Sequence, residues 1–258
     1  MVSDISIGMK RIVIFLLLVL MGGCARRNPV ADMSFQTTPA PPYVIANWYK
    51  MERPGEPLKI YIEGDGNAFD SQGQATDNPT PQGLFMRELV AGDPSPNVVY
   101  LARPCQYLKP ACTQKDWTSG RFSKAIIDSM DQTVLSLMKK ARTDQVILIG
   151  FSGGAQVAGL VAVRHPKQVK HLITISGVLD HKAWTTYHGD APLTDSLNLA
   201  DYKQVLKGIP QTHYAGEKDP VVPVRLTQDF VGDKVIVVPK ATHGDGYESI
   251  VSKIYEVS

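Results

Sequence analysis

The sequence predicts an α/β fold in which a mostly parallel central sheet is covered by helices on both faces. The first observation is alternation, because short apolar runs such as residues 146–149 are followed by segments with apolar residues at helical spacing. The second is that glycine and proline separate these segments. The third is size, since 258 residues, 43% of them hydrophobic, can form one domain with a sizeable core. Strands that alternate with helices usually form parallel sheets.

Six segments along the chain are typical of strands. In chain order they are PLKIYIEGDG, PNVVYLARPC, QVILIGF, HLITISGVLD, PQTHYAGEKD and KVIVVPKATHG. Helical spacing predicts helices in SKAIIDSMDQTVLSLMKKA, in the segment after Ser152 and in YESIVSKIYEV. Residues 181–208 are polar and irregular, so we expect a short excursion away from the sheet there.

The N-terminal residues differ in composition from the rest of the chain. Lys10 and Arg11 precede the apolar run IVIFLLLVLMGG, which ends directly before Cys24. This pattern predicts a signal peptide over residues 1–23 and resembles a bacterial lipoprotein signal, with acylation of Cys24. The alternatives are a simple signal peptide or an uncleaved anchor. No aspartate follows the cysteine, and in this respect the sequence resembles lipoproteins that are sorted to the outer membrane. We therefore expect the protein at the periplasmic face of the outer membrane. We expect a proline-rich tether over residues 24–43 and one domain over 44–258.

Charge and cysteine content limit the partners and cofactors. The 27 basic and 25 acidic residues give a net charge of +2 without basic clusters, so we expect no nucleic-acid partner. Cys105 and Cys112 have six residues between them and, in an oxidising compartment, predict a disulfide; two reduced core cysteines are the alternative. No second pair of ligands completes a zinc site, so we expect neither a metal nor a cofactor. The sequence makes no prediction of oligomeric state.

Ser152 lies where a predicted strand becomes a predicted helix. It is the central residue of GFSGG, a G-x-S-x-G motif, and a strand-to-helix junction is where this motif forms a nucleophile elbow. The glycines permit a strained turn and close packing of the helix on the strand. The helix N-terminus adds partial positive charge where an oxyanion would form. The alternative is a tight turn that merely requires small residues.

A serine nucleophile needs a base, and the base needs a carboxylate that holds its tautomer. Asp219 in GEKDPVVP and His243 in ATHGDGY follow the last two predicted strands, in the chain order serine, acid, histidine. Their positions at the C-terminal ends of strands place them on the edge that carries Ser152. Asp180 is the alternative acid. We therefore predict Ser152, Asp219 and His243 as catalytic residues.

An oxyanion hole would need two backbone N–H donors. Gly153, directly after the serine, is the first, and Asp65 or Gly66 in the turn YIEGDG is the second. A carboxylate beside a developing oxyanion would oppose it, so we expect the Asp65 side chain to point away or to be paired. A plain glycine turn is the alternative. A nucleotide-phosphate loop is excluded because EGDG lacks the required lysine and hydroxyl.

Together these motifs resemble the α/β-hydrolase superfamily, and more narrowly a group of bacterial exported α/β-hydrolases. The resemblance covers about residues 58–246 and rests on YIEGDG, YLARPCQY, WTSGRFS, GFSGGA, GEKDPVVP and ATHGDG. It implies an eight-stranded, mostly parallel core with the excursion after the sixth strand, and Ser152, Asp219 and His243 as triad. The turn EGDG departs from the histidine-glycine turn common in the superfamily.

The expected activity is acyl transfer to water on a small-molecule substrate. The short excursion leaves no room for a large lid, and we expect Trp184, Tyr187 and Tyr202 to line a small pocket. We therefore favour a carboxylic ester with a modest acyl group. An amidase or peptidase with the same triad, and a non-catalytic envelope lipoprotein that uses the fold as a scaffold, are alternatives. Arg103 and Arg121 could bind an anionic substrate or form a structural salt bridge.

Overall fold

The computed structural model describes residues 28–258, which contain one eight-stranded sheet. The strand order is β1-β2-β4-β3-β5-β6-β7-β8; β1–β2 and β2–β4 are antiparallel and all other pairs are parallel. The strands are β1 (Ser34–Ala40), β2 (Tyr43–Met51), β3 (Leu58–Ile62), β4 (Asn97–Leu101), β5 (Val146–Phe151), β6 (Val169–Ile175), β7 (Gln211–Gly216) and β8 (Val235–Val238). The predicted fold class is therefore confirmed.

Helices cover both faces of this sheet. They are α1 (Phe85–Ala91), α2 (Lys124–Ala141), α3 (Gly153–Ala162), α4 (His181–His188), α5 (Lys203–Leu206), α6 (Val224–Val231) and α7 (Glu248–Glu256). Four short 3₁₀ helices accompany them at Pro29–Asp32, Gln114–Trp117, Leu199–Tyr202 and Gly232–Lys234. Of the helices in this part of the chain, none is long and apolar enough to cross a membrane.

The hydrophobic core is divided into two layers by the sheet. Along β5, Val146 and Leu148 pack under α2 and α3, whereas Ile147 and Ile149 face the layer that contains α1 and α7. Because successive side chains of a strand point to opposite faces, a strand buried on both sides must be apolar at every position. This explains the continuous apolar run that the sequence shows there.

The predicted tether over residues 24–43 is shorter in the structure. Residues 34–40 form β1, which pairs with β2 from Ser34↔Tyr49 to Ala40↔Tyr43. The strand is at the edge of the sheet and is half exposed, so it tolerates polar residues and proline that elsewhere indicate a linker. The folded part also extends to Asn28, since Val30 is fully buried. Cys24 and the predicted signal peptide lie outside the described residues.

The segment 181–208 is more regular than the sequence predicts. It contains α4, a 3₁₀ helix and α5. Asp180 caps α4 by accepting hydrogen bonds from the N–H groups of Lys182 and Ala183. The helices are short and carry few apolar residues, so their periodicity is weak. The capping aspartate was the available signal for α4.

A disulfide joins Cys105 and Cys112, with 5.8 Å between their Cα atoms. It closes the loop that follows β4, and Cys105 is fully buried. The expected pairing of these two cysteines is thus present in the structure. The bridge constrains a loop at the C-terminal edge of the parallel strands.

Replacement of both cysteines by serine should leave the fold intact. The closed loop is short, so the bridge stabilises the protein by about 2–3 kcal/mol at most in the chain-entropy model. For a domain of this size the melting temperature should fall by roughly 5–10 °C. Thermal unfolding of Cys105→Ser/Cys112→Ser beside the wild type measures the shift. Free thiols in non-reduced, periplasm-derived wild-type protein, detected by mass spectrometry, would refute the bridge.

Candidate active site

Ser152 occupies a strained turn between β5 and α3. Its backbone has φ 52° and ψ −125°, in the left-handed half of φ that side-chain-bearing residues avoid. A Cβ atom on Gly150 would lie 2.5 Å from the Gly154 carbonyl oxygen, and one on Gly154 would lie 2.4 Å from the Glu63 carbonyl oxygen. Side chains at these two positions are therefore excluded, and this explains the glycines of the motif.

The three side chains selected from the sequence form one chain of hydrogen bonds. Ser152 Oγ lies 3.0 Å from His243 Nε2, and His243 Nδ1 lies 2.9 Å from Asp219 Oδ2. Ser152 follows β5, Asp219 follows β7 and His243 follows β8, so the parallel strands bring them to one edge. Geometrically, the serine hydroxyl can donate to Nε2 while the Nδ1–H donates to the carboxylate.

Asp219 is held as an ionised carboxylate. Its Oδ1 accepts hydrogen bonds from the N–H groups of Val221 (2.8 Å) and Val222 (2.9 Å). Burial alone would raise its pKa, but these bonds and the contact with His243 lower it. The alternative acid, Asp180, bonds instead to the N-terminus of α4 and to Asn198 Nδ2 at 2.7 Å. The structure thus brings Asp219, and not Asp180, to the histidine.

The turn after β3 lies directly against Ser152. A Cβ on Gly64 would be 3.2 Å from Ser152 Cβ, and Gly66 has a φ of 65° and a position where a Cβ would collide with the Pro79 carbonyl oxygen. Within residues 28–258, the N–H group of Gly153 and those of both predicted second donors, Asp65 and Gly66, donate to no other protein group. All three are therefore free to bind an oxyanion.

The Asp65 carboxylate is paired, as expected from the sequence. It accepts hydrogen bonds from Arg103 Nη1 and, at 2.6 Å, from Arg121 Nη1. Burial alone would raise its pKa, yet the two guanidinium groups lower it, so the carboxylate is ionised. A Cβ on Gly153 would lie 2.0 Å from Asp65 Oδ1, so this ion cluster is packed against the nucleophile elbow.

Two further side chains support the turn, and the sequence analysis missed both. Gln106 Nε2 donates to the Gly64 carbonyl oxygen at 2.9 Å, while its Oε1 accepts from the Arg103 N–H. Glu63 accepts from Tyr100 Oη at 2.7 Å and from the Gly64 N–H at 2.9 Å. Burial raises the pKa of Glu63 in spite of these bonds, which favours its neutral form. In the sequence, the only indication that Gln106 supports this turn is its position next to Cys105.

Above Ser152 and His243 lies an open cleft of about 530 Å³. Its walls are largely aromatic and aliphatic, which suits the apolar part of a small ligand. The apolar lining consists of Ala68, Phe69, Phe85, Met86, Phe122, Phe151, Val178, Trp184, Leu193 and Val221. Of the three aromatic residues expected from the sequence, only Trp184 lines the cleft; Tyr187 and Tyr202 are exposed elsewhere. They lie on α4 and the following 3₁₀ helix, on sides that face solvent.

The other histidines have structural surroundings. Burial lowers the pKa of His213 to about 4, and its ring bonds to Thr174 and Gln211, as expected for a core histidine. His181 is also buried, and its ring is stacked on Phe122. It begins α4, whose presence the sequence analysis missed.

Comparison with solved structures identifies many similar folds. The chain is 16% identical to an esterase of Pyrococcus furiosus (TM-score 0.59; 88% of this chain and 90% of that chain covered). It is 13% identical to Est1E of Butyrivibrio proteoclasticus (TM-score 0.61; 86% and 94%). It is 14% identical to an α/β serine hydrolase without a lid from Xanthomonas campestris (TM-score 0.52; 86% and 90%). No curated protein sequence matches. These structural similarities establish the α/β-hydrolase fold.

A sequence-family comparison is more specific. Residues 102–239 match the family described as serine hydrolase (FSH1), and the matched segment includes Ser152 and Asp219. The match covers more than half of the 258 residues. The chain therefore belongs to the FSH1 serine hydrolase family.

Proposed function

We propose that this serine hydrolase cleaves a carboxylic ester through an acyl-enzyme on Ser152. The observation that carries the proposal is the continuous set of hydrogen bonds from Ser152 through His243 to Asp219, at the floor of an open apolar cleft. This arrangement supplies a nucleophile, a base and an orienting carboxylate in one place. It calls for no further reactant besides the ester and water.

In the first half-reaction, Ser152 Oγ attacks the ester carbonyl carbon while His243 Nε2 accepts the hydroxyl proton. Asp219, ionised and fixed by two backbone N–H groups, stabilises the imidazolium that forms. Collapse of the tetrahedral intermediate breaks the C–O bond, and His243 returns the proton to the departing alcohol. Water then attacks the acyl-enzyme with His243 again as base, and releases the acid and the free serine.

The oxyanion would bind to the N–H groups of Gly153 and of Asp65. Supporting this assignment, neither group donates to another protein atom among the described residues, and Gly64 places the turn beside Ser152. The negative side chain of Asp65 does not oppose the oxyanion, because Arg103 and Arg121 more than compensate its charge. The helix N-terminus at Gly153 adds to the same positive potential.

An ester with a modest acyl group fits the size of the cleft. The segment 181–208 forms short helices beside the site, and the cleft above Ser152 is open. Two of the structural neighbours are described as esterases, and another as a serine hydrolase without a lid. An ester also needs less leaving-group activation than an amide.

For the cellular location, we propose a lipid anchor on Cys24 and the periplasmic face of the outer membrane. The support is the apolar run that ends in GGC and the absence of aspartate after the cysteine. The disulfide between Cys105 and Cys112 is compatible with an exported protein, since such bonds persist in oxidising compartments.

Ser152→Ala and His243→Ala should each reduce hydrolysis of a small aryl ester by at least about 10⁴-fold, because the triad acts as a unit. Asp219→Asn should also reduce hydrolysis severely, but by a smaller factor than the other two substitutions. A fluorophosphonate probe should label the wild type and not Ser152→Ala. The matched control is Asp180→Asn, whose side chain caps α4 and should not affect labelling.

Three outcomes would contradict parts of this proposal. Loss of activity in Asp180→Asn with an unaffected Asp219→Asn would show that the acid assignment is wrong. A folded wild type that the probe does not label would favour a non-catalytic scaffold. A higher kcat/KM for the matched anilide than for the ester would favour an amidase.

Cys24→Ser should prevent lipid attachment, because the thiol is the acceptor of the lipid. The protein should then remain unprocessed or be released from the membrane fraction. Metabolic labelling with a fatty-acid analogue, followed by fractionation, measures both effects. Unchanged incorporation in the mutant would disprove the anchor.

A further inference from the structure

The ion cluster beside the nucleophile elbow contains more positive than negative charge. Asp65 is a single carboxylate and pairs with both Arg103 and Arg121. Burial raises the pKa of Glu63, the other carboxyl group that lines the cleft, and so favours its neutral form. Arginine stays protonated in proteins. The cluster of Asp65, Arg103 and Arg121 therefore contains one more positive than negative charge.

This excess charge is placed at the cleft by Arg121. Its Nη1 binds Asp65, and among residues 28–258 neither Nε nor Nη2 of Arg121 has a hydrogen-bond partner. The residue is only 5% exposed, so water compensates the guanidinium poorly. Nε is shielded from solvent, whereas Nη2 is not fully buried and lies on the residue that lines the cleft. Nη2 of Arg121 is therefore free to donate a charge-assisted hydrogen bond to an anion in the cleft.

The surroundings of Arg121 strengthen any hydrogen bond that its guanidinium group makes to an anion. The guanidinium carbon lies 5.3 Å from the ring centroid of Phe69, 5.7 Å from that of Trp184 and 6.0 Å from that of Phe122. These rings hold the cation by cation–π attraction and exclude water from it. In such a low-dielectric environment, a charge-assisted hydrogen bond is stronger than at an exposed site.

Arg121 also marks the junction of two cavities. A second chamber of about 490 Å³ adjoins the cleft above Ser152, and both are lined by Phe69, Arg121, Trp184 and Leu193. Two other carboxylates line the neighbouring cavities, Asp190 in the second chamber and Asp116 on the Arg103 side; the first is exposed and the second partly so. Solvent screens them more than it screens the buried cluster.

We infer that the substrate is an ester that carries a carboxylate, which accepts a hydrogen bond from Nη2 of Arg121 while the ester carbonyl lies at Ser152. This inference rests on the proposed ester hydrolysis and defines its substrate class. Arg121 is then a specificity-determining residue: it binds the substrate but takes no part in proton transfer. The bond that breaks, and the course of the proton through His243, are unchanged.

The test compares 4-nitrophenyl hydrogen glutarate with its methyl ester, which has the same chain and no charge. The wild type should hydrolyse the anionic ester with a kcat/KM at least about tenfold higher, mainly through a lower KM. In Arg121→Gln this ratio should fall to about one, and Arg121→Lys should retain part of it. Arg225→Gln is the matched control, since it removes an arginine of α6 that is exposed and remote from the cleft. The ratio cancels any loss of activity common to both esters.

A second measurement uses only the wild type. It therefore tests carboxylate binding in the cleft even if Arg121→Gln does not fold. Glutarate should slow fluorophosphonate labelling of wild-type Ser152, whereas glutaramide at the same concentration and ionic strength should not. Equal protection by the two compounds, or a wild-type ester ratio of one or less, would overturn the inference while ester hydrolysis itself stands. A wild type that neither becomes labelled nor hydrolyses either ester would instead overturn the proposed function, and the inference with it.

Discussion

The backbone turn at Ser152 is the constraint on which the rest of the site depends. A side-chain-bearing residue at φ 52° and ψ −125° costs on the order of 1–3 kcal/mol, which the surrounding packing must offset. The turn lies between the central strand β5 and the buried helix α3, and both are fixed by the two core layers. Two residues that flank the turn, Gly150 and Gly154, must then do without a side chain. The stability of the core and the exposure of the serine hydroxyl are therefore linked.

The second level of organisation is electrostatic and connects loops that are distant in sequence. Asp65 follows β3, Arg103 follows β4 and Arg121 precedes α2, yet they meet at Gly153. Arg103 also donates to the Arg121 carbonyl oxygen, and Gln106 connects this group to the turn after β3. The disulfide next to Gln106 limits the motion of the same loop. The loops that would bind a substrate are thus held by ion pairs and one covalent bond in addition to the apolar packing of Trp117 and Phe122.

The sequence predicts the features that depend on burial or on chain order. The apolar run of β5 and the placement of Asp219 and His243 after the last strands follow from such rules. Edge strand β1 was missed because half-exposed pairing needs no apolar pattern, and α4 because it is short. The role of Gln106 is a tertiary contact with Gly64, and no local pattern specifies such a contact. Long-range polar contacts therefore limit what the sequence alone predicts about this site.

The early start of the folded domain has a consequence for how substrate is encountered. Asn28 already bonds to Arg87, and Arg87 bonds to the carbonyl oxygen of Gly83, a residue of the cleft wall. With a lipid on Cys24, the chain up to Asn28 would span about 14 Å at most when fully extended. That end of the domain would then stay within about 14 Å of the bilayer surface. The enzyme would diffuse in two dimensions and would hydrolyse only substrates that come close to its membrane.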